Sequence, residues 1–345
     1  MKVSGVSFSS DRKLSRCEQQ YSYNYEEKLQ LKRKKIGLFR GDLGHQLVEA
    51  HYTRVNGVSH PGWRAKFEQL VTERWTPLFD EEKEDYGMDF MDTLYELMEH
   101  YENHWKEDDA NWTVLHLERN FELMTKLGFP VRWKADLIVQ DVRRVSTARR
   151  IKGHEQYKTI LVEHKFKKAI PESDERILQP QVHSYAWLLS KVGVHIDTIL
   201  WDYIRTEPVP RPKINKDGNL SVRQINTDQR GYLKSLKEAG IEARTPDELQ
   251  GLQNKLDTLP LTLSLERVPN SVNLRMGEQF VKDWVERARR AQLSKRPLRS
   301  WNRNCRFDCD FYRICQVDMR GDTDRNLVIL KDYEPKPPRE IEELK

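Results

Sequence analysis

Apolar side chains in the first third of the chain recur with the period of an α-helix. Helical character covers 41–52, returns across about 64–75 and appears again over 80–107. The apolar residues of the third stretch share one helix face at i, i+4, i+7 and i+11 spacing: Phe90, Leu94, Leu97 and Tyr101. The pattern therefore predicts a helical N-terminal part, bounded at 1–110.

The period changes near residue 112, where the pattern becomes that of strands. The predicted elements that follow are strands at 112–123, 131–139 and 157–166, a helix at about 174–191 and a strand at 196–204. Residues 141–156, between the second and third of these strands, are predicted to form a basic connection. Strands followed by a helix and another strand predict an α/β core in which helices pack against a sheet. We bound this core at 111–206.

The remaining third is more polar. An insertion is predicted at 207–258, beginning with a loop or hairpin rich in Pro, Lys and Asn and continuing with helical tendency. A strand-like stretch (259–268) and a charged helix (about 275–293) then complete the core and lead into a cysteine-rich segment, bounded at 259–320. Residues 321–345 are predicted to be a polar, partly mobile tail.

Composition narrows the class of protein. A third of the 345 residues are charged, yet nine Trp, thirteen Tyr and eleven Phe argue against general disorder. The net charge of +5 permits a nucleic-acid partner without demonstrating one. No apolar run approaches the ~20 residues of a spanning helix, and the first thirty residues contain no apolar signal core. We therefore expect a cytoplasmic protein without a membrane partner.

The chain has four cysteines, one near its start and three near its end. They are Cys17, Cys305, Cys309 and Cys315. In a cytosolic protein such a cluster favours metal binding over disulfides, and thiolates suit zinc and iron–sulfur clusters. With no spare cysteine, the four predict one tetra-thiolate site that joins the two ends of the chain. A [4Fe–4S] cluster, a zinc ion and unrelated buried cysteines are the alternatives at this point.

Carboxylates and a lysine mark two of the predicted strands. Glu163 and Lys165 fall on one face of their strand because side chains alternate, and Asp136 can lie beside them if the two strands pair. Two neighbouring acids repel each other, and a divalent metal offsets that repulsion. Taken alone, a Glu-x-Lys pair is also common on solvated strand faces.

Two pairs with i, i+4 spacing lie on predicted helices. His45 and Glu49 share one helix face, and Gln181 and Tyr185 repeat this geometry after the Glu163 strand. Gly41, one turn before His45, lacks a side chain and could admit a strand or a ligand. Taken one by one, such residues are ordinary core or surface features.

In their order along the chain, these motifs resemble the PD-(D/E)XK nuclease superfamily, specifically its RecB-like branch. The motifs are Gly41-x-x-x-His45-x-x-x-Glu49, Asp136, Glu163-x-Lys165 and Gln181-x-x-x-Tyr185. The segment from Ser7 through Cys17 and the late cysteine triplet resemble those of the iron–sulfur nucleases of that branch, including CRISPR-associated and phage-borne nucleases. The resemblance covers about 7–205 and 259–316. It implies a restriction-endonuclease-like core with a central mixed sheet flanked by helices.

The resemblance also implies roles for individual residues. His45, Asp136, Glu163 and the backbone carbonyl of His164 would hold Mg²⁺ or Mn²⁺, and Lys165 would be the catalytic lysine. Gln181 and Tyr185 would support DNA and the geometry of the site, with Glu118 and Glu49 as secondary candidates. The four cysteines would hold a structural [4Fe–4S] cluster. Zinc remains the alternative, since three residues separate Cys305 from Cys309 where many relatives have two.

The implied activity is a metal-dependent DNA exonuclease that acts on linear or single-stranded DNA in recombination, repair or phage DNA metabolism. Two alternatives remain open: a catalytically idle nucleic-acid-binding protein, and an endonuclease such as a CRISPR spacer processor. A second copy of the chain or a helicase or recombination protein is a candidate partner. Basic residues that are candidates for DNA contact, or simply for a solvated face, are Arg143, Arg144, Arg149, Arg150, Lys152, Lys165, Lys167 and Lys168.

Overall fold

A five-stranded sheet between two helical layers forms the body of the protein, as seen in a computed structural model. The structure describes residues 3, 5–55, 62–151, 154–171, 179–216, 218–221, 225–243, 245–294, 296–303 and 305–336. Its strands are β1 (Leu29–Leu31), β2 (Trp112–Met124), β3 (Pro130–Ile151), β4 (His154–Lys167), β5 (Thr198–Arg205), β6 (Leu265–Asn270) and β7 (Tyr333–Pro335).

Helices surround this sheet along most of the chain. They are α1 (Phe8–Arg16), α2 (Glu18–Tyr21), α3 (Ile36–Val55), α4 (Gly62–Leu70), α5 (Asp80–Tyr86), α6 (Phe90–Asp109), α7 (Pro180–Lys191), α8 (Gln229–Glu238), α9 (Pro246–Asp257), α10 (Leu274–Leu293), α11 (Cys305–Asp308), α12 (Tyr312–Arg320) and α13 (Arg325–Asp332). Short π-helical turns follow α2 and α4, at Ser22–Glu26 and Val71–Trp75. None of the described helices is both long enough and apolar enough to cross a membrane.

The sheet is mixed, with the strand order β2-β3-β4-β5-β6. Neighbouring strands are antiparallel except for β4 and β5, which run parallel. Parallel strands need a crossover connection, and α7 lies in the one between β4 and β5. Pro180 occupies the first turn of α7, where its missing N–H costs no hydrogen bond.

Each face of the sheet buries its own apolar cluster. On one face, Val131, Trp133 and Ala135 pack with residues of α7 and α10. On the other face, Leu137 and Val139 pack with residues of α3, α4 and α6. These two sets lie on the same strand, so the alternation of β3 shifts between Ala135 and Leu137, where a regular strand would keep i and i+2 on one face.

A two-stranded sheet joins the two ends of the described chain. β1 pairs antiparallel with β7, and Leu29 and Tyr333 belong to a small buried cluster. Cys309 and Cys315 pack against that cluster. The cysteine-rich segment is thereby held beside the N-terminal segment.

The predicted α/β class is confirmed, and the mixed sheet flanked by helices is consistent with a restriction-endonuclease-like core. Several local predictions were wrong. Residues 141–156 were predicted as a basic connection. Residues 141–151 and 154–156 instead extend strands β3 and β4 as a hairpin. The helix predicted over 80–107 is two helices, because Gly87 with φ of 94° ends α5.

Two other boundaries differ from prediction. The strand expected from residue 259 begins at Leu265. The expected polar tail contains α13 and β7, since Tyr333 buries its ring in the cluster with Leu29. The first residues of the helix predicted at 174–191, namely 174–178, lie outside the described residues, as do 337–345 of the tail.

The contact between α7 and α10 depends on Gly277. A Cβ at this position would lie 2.0 Å from the carbonyl oxygen of His183, a backbone atom that cannot move independently. We predict that Gly277→Ala lowers the free energy of unfolding by about 1–3 kcal/mol, the cost of overpacking. Denaturant titration of the purified variant measures this change.

Gly251 in α9 is the matched control, since a Cβ there would meet no described atom within 4 Å. Gly251→Ala should raise the free energy of unfolding by about 0.5–1 kcal/mol, because alanine is the better helix former. Equal effects at the two positions would contradict the packing argument.

Candidate active site

Three side chains from three different elements converge at one edge of the core. His45 comes from α3, Glu118 from β2 and Asp136 from β3, and one ligand atom of each lies within 4.8 Å of the others. His45 Nδ1 is 3.8 Å from Glu118 Oε1 and 3.9 Å from Asp136 Oδ2. One imidazole and two carboxylates form a donor set suited to a divalent cation such as Mn²⁺.

A close contact between α3 and β4 sets the position of His45. A Cβ on Gly44 would lie 2.4 Å from the ring of Phe166, so glycine lets the helix approach the strand at this point. The ring of His45 packs 5.5 Å from that of Phe166, between centroids. Gly41, predicted to admit a strand or a ligand, faces open space: a Cβ there would meet no described atom within 4 Å.

A backbone irregularity brings Glu118 into the group. Glu118 has φ of 48°, in the left-handed region that few residues other than glycine adopt. Leu117 packs into one apolar cluster and Phe121 into the other, so β2 shifts its alternation at Glu118, opposite the shift in β3. Lys134 then forms an ion pair with Glu118.

The second part of the site lies around Glu163, which is 2% exposed. Lys165 Nζ donates to Glu163 Oε1 at 2.6 Å, and Gln181 Nε2 donates to the same oxygen at 2.5 Å. Lys165 Nζ also donates to Gln181 Oε1 at 3.2 Å. Glu163 Oε2 is buried and has no hydrogen-bond partner among the described residues. A cation at this oxygen would remove the cost of leaving it unpaired.

Burial and charge shift the protonation equilibria of these groups. Burial, with the charge of Asp136 adding to it, raises the pKa of Glu163 to about 7. Burial disfavours the imidazolium of His45, but Glu118 and Asp136 outweigh it and raise the pKa of His45. The pKa of Glu118 is lowered despite its burial, because His45 and Lys134 stabilise the carboxylate.

His164 makes one contact through its backbone and another through its ring. Its backbone N–H donates to Asp136 Oδ2 at 3.0 Å. Its ring points to the opposite face from Glu163 and Lys165, where Nδ1 lies 3.1 Å from Asp202 Oδ2. The ring therefore lies on the other face of β4 from Glu163 and Lys165, 6.5 Å from the ring of His45 between centroids, and the backbone of His164 is the part that contacts Asp136.

The remaining predicted residues lie around this arrangement. Tyr185 is buried, and its hydroxyl accepts from Gln181 Nε2 at 3.3 Å. Glu49, one turn after His45, has its pKa raised by burial and by the charge of Glu118. Arg143 pairs with Asp141 and Asp108, so its charge is compensated within the protein. The side chains of Arg149, Arg150 and Lys152 lie outside the described residues.

The four cysteines line one cavity of about 280 Å³, together with Tyr23 and Trp301. Burial and the nearby thiols of Cys17 and Cys305 raise the pKa of Cys309 to about 11. All four cysteines are described, and no three of them bring their Sγ atoms within 4.8 Å of one another. A tetrahedral zinc site with Zn–S bonds of about 2.3 Å would need sulfur atoms about 3.8 Å apart.

The group of His45, Glu118 and Asp136 is called the candidate metal-ligand group. A groove of about 540 Å³ reaches from His45 of this group to the cysteine segment. His45, Gly41 and Phe311 are among its lining residues. Its lysines are Lys13, Lys34, Lys35, Lys165, Lys167 and Lys336, and its acids are Asp42 and Asp310. The groove therefore carries a formal excess of four positive charges, which favours an anionic ligand.

Three charged residues near the site were not predicted from the sequence, namely Lys134, Asp202 and Arg267. Lys134 had a usable signal: it lies two residues before Asp136 in a strand. Asp202 interrupts the apolar run Ile196–Ile204, which is the kind of position where a buried charge indicates a partner. Arg267 lies in a segment whose boundary was predicted six residues too early.

Comparison with known proteins identifies the family. A sequence model of the PD-(D/E)XK nuclease superfamily matches residues 5–316. Because this match covers nearly the whole chain, the protein belongs to that superfamily. No curated protein sequence matches the chain.

The raised pKa of Glu163 predicts a pH dependence of stability in the metal-free protein. Because the folded pKa (about 7) exceeds the ordinary value of 4.5, the protonated acid favours folding below pH 4.5 and this contribution is lost as pH rises through 7. The difference corresponds to about 3 kcal/mol. In EDTA, we expect Glu163→Gln to be more stable than wild type at pH 8 and similar to it at pH 4.5, as measured by denaturant unfolding.

Glu118→Gln is the matched control with the opposite sign. The lowered pKa of Glu118 means that its carboxylate stabilises the fold above its ordinary pKa and loses this effect as pH falls. Parallel pH profiles for wild type and Glu163→Gln would contradict the assignment of the shift to Glu163.

Proposed function

We propose that this member of the PD-(D/E)XK superfamily is a metal-dependent DNA exonuclease that hydrolyses phosphodiester bonds of linear or single-stranded DNA. The observation that carries the proposal is the convergence of His45, Glu118 and Asp136 within 4.8 Å, beside the buried Glu163 and Lys165. Such a cluster of acids is costly unless a cation or a reaction requires it.

The donor atoms fit a divalent cation. His45, Glu118 and Asp136 would hold it, with the unpaired Oε2 of Glu163 and the carbonyl of His164 as further donors. Mg²⁺ or Mn²⁺ bound there would neutralise the scissile phosphate and make a water molecule a better nucleophile. The imidazole favours Mn²⁺, because Mg²⁺ prefers oxygen donors alone.

The protein's own residues position the reacting groups. Lys165 keeps its ammonium 2.6 Å from Glu163 Oε1, where it can orient the attacking water and stabilise charge that develops on the phosphate. Gln181 bridges Glu163 and Tyr185 and so fixes the carboxylate relative to α7. His164 holds Asp136 through its backbone N–H.

The lysine-lined groove supports a DNA partner. Lys34 and Lys35 stand at the start of α3, and Lys165 and Lys167 at the end of β4, so cations lie on two sides of the groove. Phosphate backbones bind such surfaces by releasing counterions, which makes affinity fall with salt. Gly37 and Gly41 leave open space along α3, which lets a strand approach the helix backbone.

We predict that the purified protein degrades linear DNA with Mg²⁺ or Mn²⁺ and that EDTA stops the reaction. Glu163→Ala should reduce the rate by at least a factor of about 10³, because it removes a donor and the partner of Lys165. Release of acid-soluble nucleotides from labelled DNA measures the rate. Glu286→Ala, which removes an exposed carboxylate paired with Arg290, is the control and should leave it unchanged.

Two alternative functions give different results in this assay. Wild-type protein that binds DNA but cleaves no DNA or RNA with either metal would be a binding protein that retains the nuclease fold. Cleavage of closed circular single strands would identify an endonuclease, such as a CRISPR spacer processor, because an exonuclease needs an end.

The four cysteines are proposed to hold a structural [4Fe–4S] cluster. Their shared cavity of about 280 Å³, which all four cysteines line, supports a group larger than one zinc ion. Four thiolates are the common ligand set of such a cluster. Its role would be to join the N-terminal segment to α11 and α12 beside the nuclease core.

Anaerobic purification tests the cluster. We expect a brown protein with about four iron atoms per chain, with iron and zinc measured together by elemental analysis. Cys17→Ser should lower the iron content and the melting temperature, whereas Ser15→Ala, near it on α1, should change neither. A colourless protein that contains zinc would contradict the cluster and leave the nuclease proposal intact.

The setting of this activity is also part of the proposal. We place it in the cytoplasm, or the host cytoplasm if the gene is carried by a phage, in recombination, repair or phage DNA metabolism. A helicase, another recombination protein or a second copy of the chain is the proposed partner.

A further inference from the structure

On the opposite face of the sheet from Glu163 and Lys165, three charged or titratable residues form one row. His164 pairs in register with Asp202 across β4 and β5, and Asp202 pairs with Arg267 across β5 and β6. His164 Nδ1 lies 3.1 Å from Asp202 Oδ2, and Arg267 Nε lies 3.5 Å from the same oxygen. Asp202 has no exposed surface. One buried carboxylate oxygen thus joins three neighbouring strands.

The helices on this face complete the surroundings of the row. Tyr101 donates its hydroxyl to Asp202 Oδ2 at 2.5 Å. Arg267 donates to the hydroxyl of Tyr52 at 2.7 Å and to Asp109 Oδ1 at 2.9 Å. The two carboxylates are therefore paired with one guanidinium and with tyrosine hydroxyls inside the fold, and without such partners buried ions are strongly unfavourable.

Two aromatic rings pack against the guanidinium. The central carbon of Arg267 lies 4.1 Å from the ring centroid of Trp105 and 4.3 Å from that of Trp112. Arginine is suited to such stacked positions because its planar guanidinium packs on aromatic faces. Neither Arg267 nor Asp202 can move without disturbing α6 and β2.

The row is linked to Asp136, one of the candidate metal ligands, through the backbone of His164. Glu163 and Lys165, which flank it, point to the other face, and the N–H of His164 donates to Asp136 Oδ2 at 3.0 Å. Fixing the ring of His164 against Asp202 therefore fixes the orientation of the β4 peptide groups that carry Glu163 and Lys165 and of the N–H that holds Asp136. A rotation of this part of β4 would displace Glu163 and Lys165 and break the hydrogen bond to Asp136.

We propose that Asp202, held by Arg267 and Tyr101, is a positioning residue that orients the His164 segment of β4 and so sets the affinity of the site for its divalent cation. It acts through the ring of His164, on the opposite face of β4 from Glu163 and Lys165. This inference rests on the proposed metal site. Partners that orient a metal-binding group typically change metal affinity or activity by about 10- to 100-fold.

The test compares two buried carboxylates in the full-length protein. Asp202→Asn should weaken Mn²⁺ binding by about 10- to 100-fold, measured by electron paramagnetic resonance of free Mn²⁺, while KM for DNA at saturating Mn²⁺ stays unchanged. Asp228→Asn is the matched control: Asp228 is also buried, but it caps α8 by accepting from the N–H of Gly231 at 2.7 Å. It should lower the melting temperature without changing Mn²⁺ affinity.

Unchanged Mn²⁺ affinity in Asp202→Asn, with a fall in melting temperature like that of Asp228→Asn, would overturn the proposal and leave Asp202 a structural residue. If Asp202→Asn does not fold, Tyr101→Phe removes one hydrogen bond to the same carboxylate at nearly constant volume. A severalfold weaker Mn²⁺ affinity supports the proposal there, and wild-type affinity overturns it.

Failure of the nuclease proposal gives a separate result. Wild-type protein that binds Mn²⁺ but cleaves no nucleic acid would refute the nuclease function, while the difference in Mn²⁺ affinity between wild type and Asp202→Asn would still decide the role of Asp202.

Discussion

Repulsion between the carboxylates of neighbouring strands is the constraint around which the centre of this protein is built. Burial, with the charge of Asp136 adding to it, raises the pKa of Glu163, and both side chains are buried at the same end of the sheet. Three kinds of compensation surround them: the ammonium groups of Lys165 and Lys134, the amide of Gln181 and the backbone N–H of His164. The elements that carry these groups, α7 and strands β3 and β4, are held in place by the two apolar clusters on the faces of the sheet.

The extent to which the sequence predicts the site depends on how regular the backbone is. Glu163 and Lys165 lie in a regular strand, so alternation placed them on one face. Glu118 does not, because its positive φ shifts the alternation of β2, and glutamate carries no signal for that conformation. The role of Gly44 was also not predictable from the sequence. Its missing Cβ matters only because Phe166, more than a hundred residues away in the sequence, packs against it. The helical period of the sequence predicted α3, α6 and α10. The ends of helices depended on single residues instead, such as Gly87, which ends α5.

The pairing of two buried charged residues was also not predictable from the sequence. Asp202 stands in a strand whose other residues are largely apolar, and its register with Arg267 across β5 and β6 follows from the assembled sheet. Burial without hydrogen-bonded partners would make either residue unfavourable. Once paired, the same burial keeps the row inside the fold, while the end of β4 borders the lysine-lined groove, which His164 and Lys165 both line. One strand therefore links an internal ion network to a surface suited to a polyanion.

The pairing of β1 with β7 has a consequence for the order in which the protein matures. Leu29–Leu31 leave the ribosome long before Tyr333–Pro335, and Cys17 precedes Cys315 by nearly the whole length of the chain. The small cluster and the cysteine cavity therefore cannot close during most of translation, while the five strands of the central sheet can already assemble. A group bound by all four cysteines can be completed only after Cys315 has left the ribosome, so its loading reports that synthesis of the chain has passed Cys315. The filled cavity thus distinguishes chains that carry both parts of the cysteine set from shorter nascent chains.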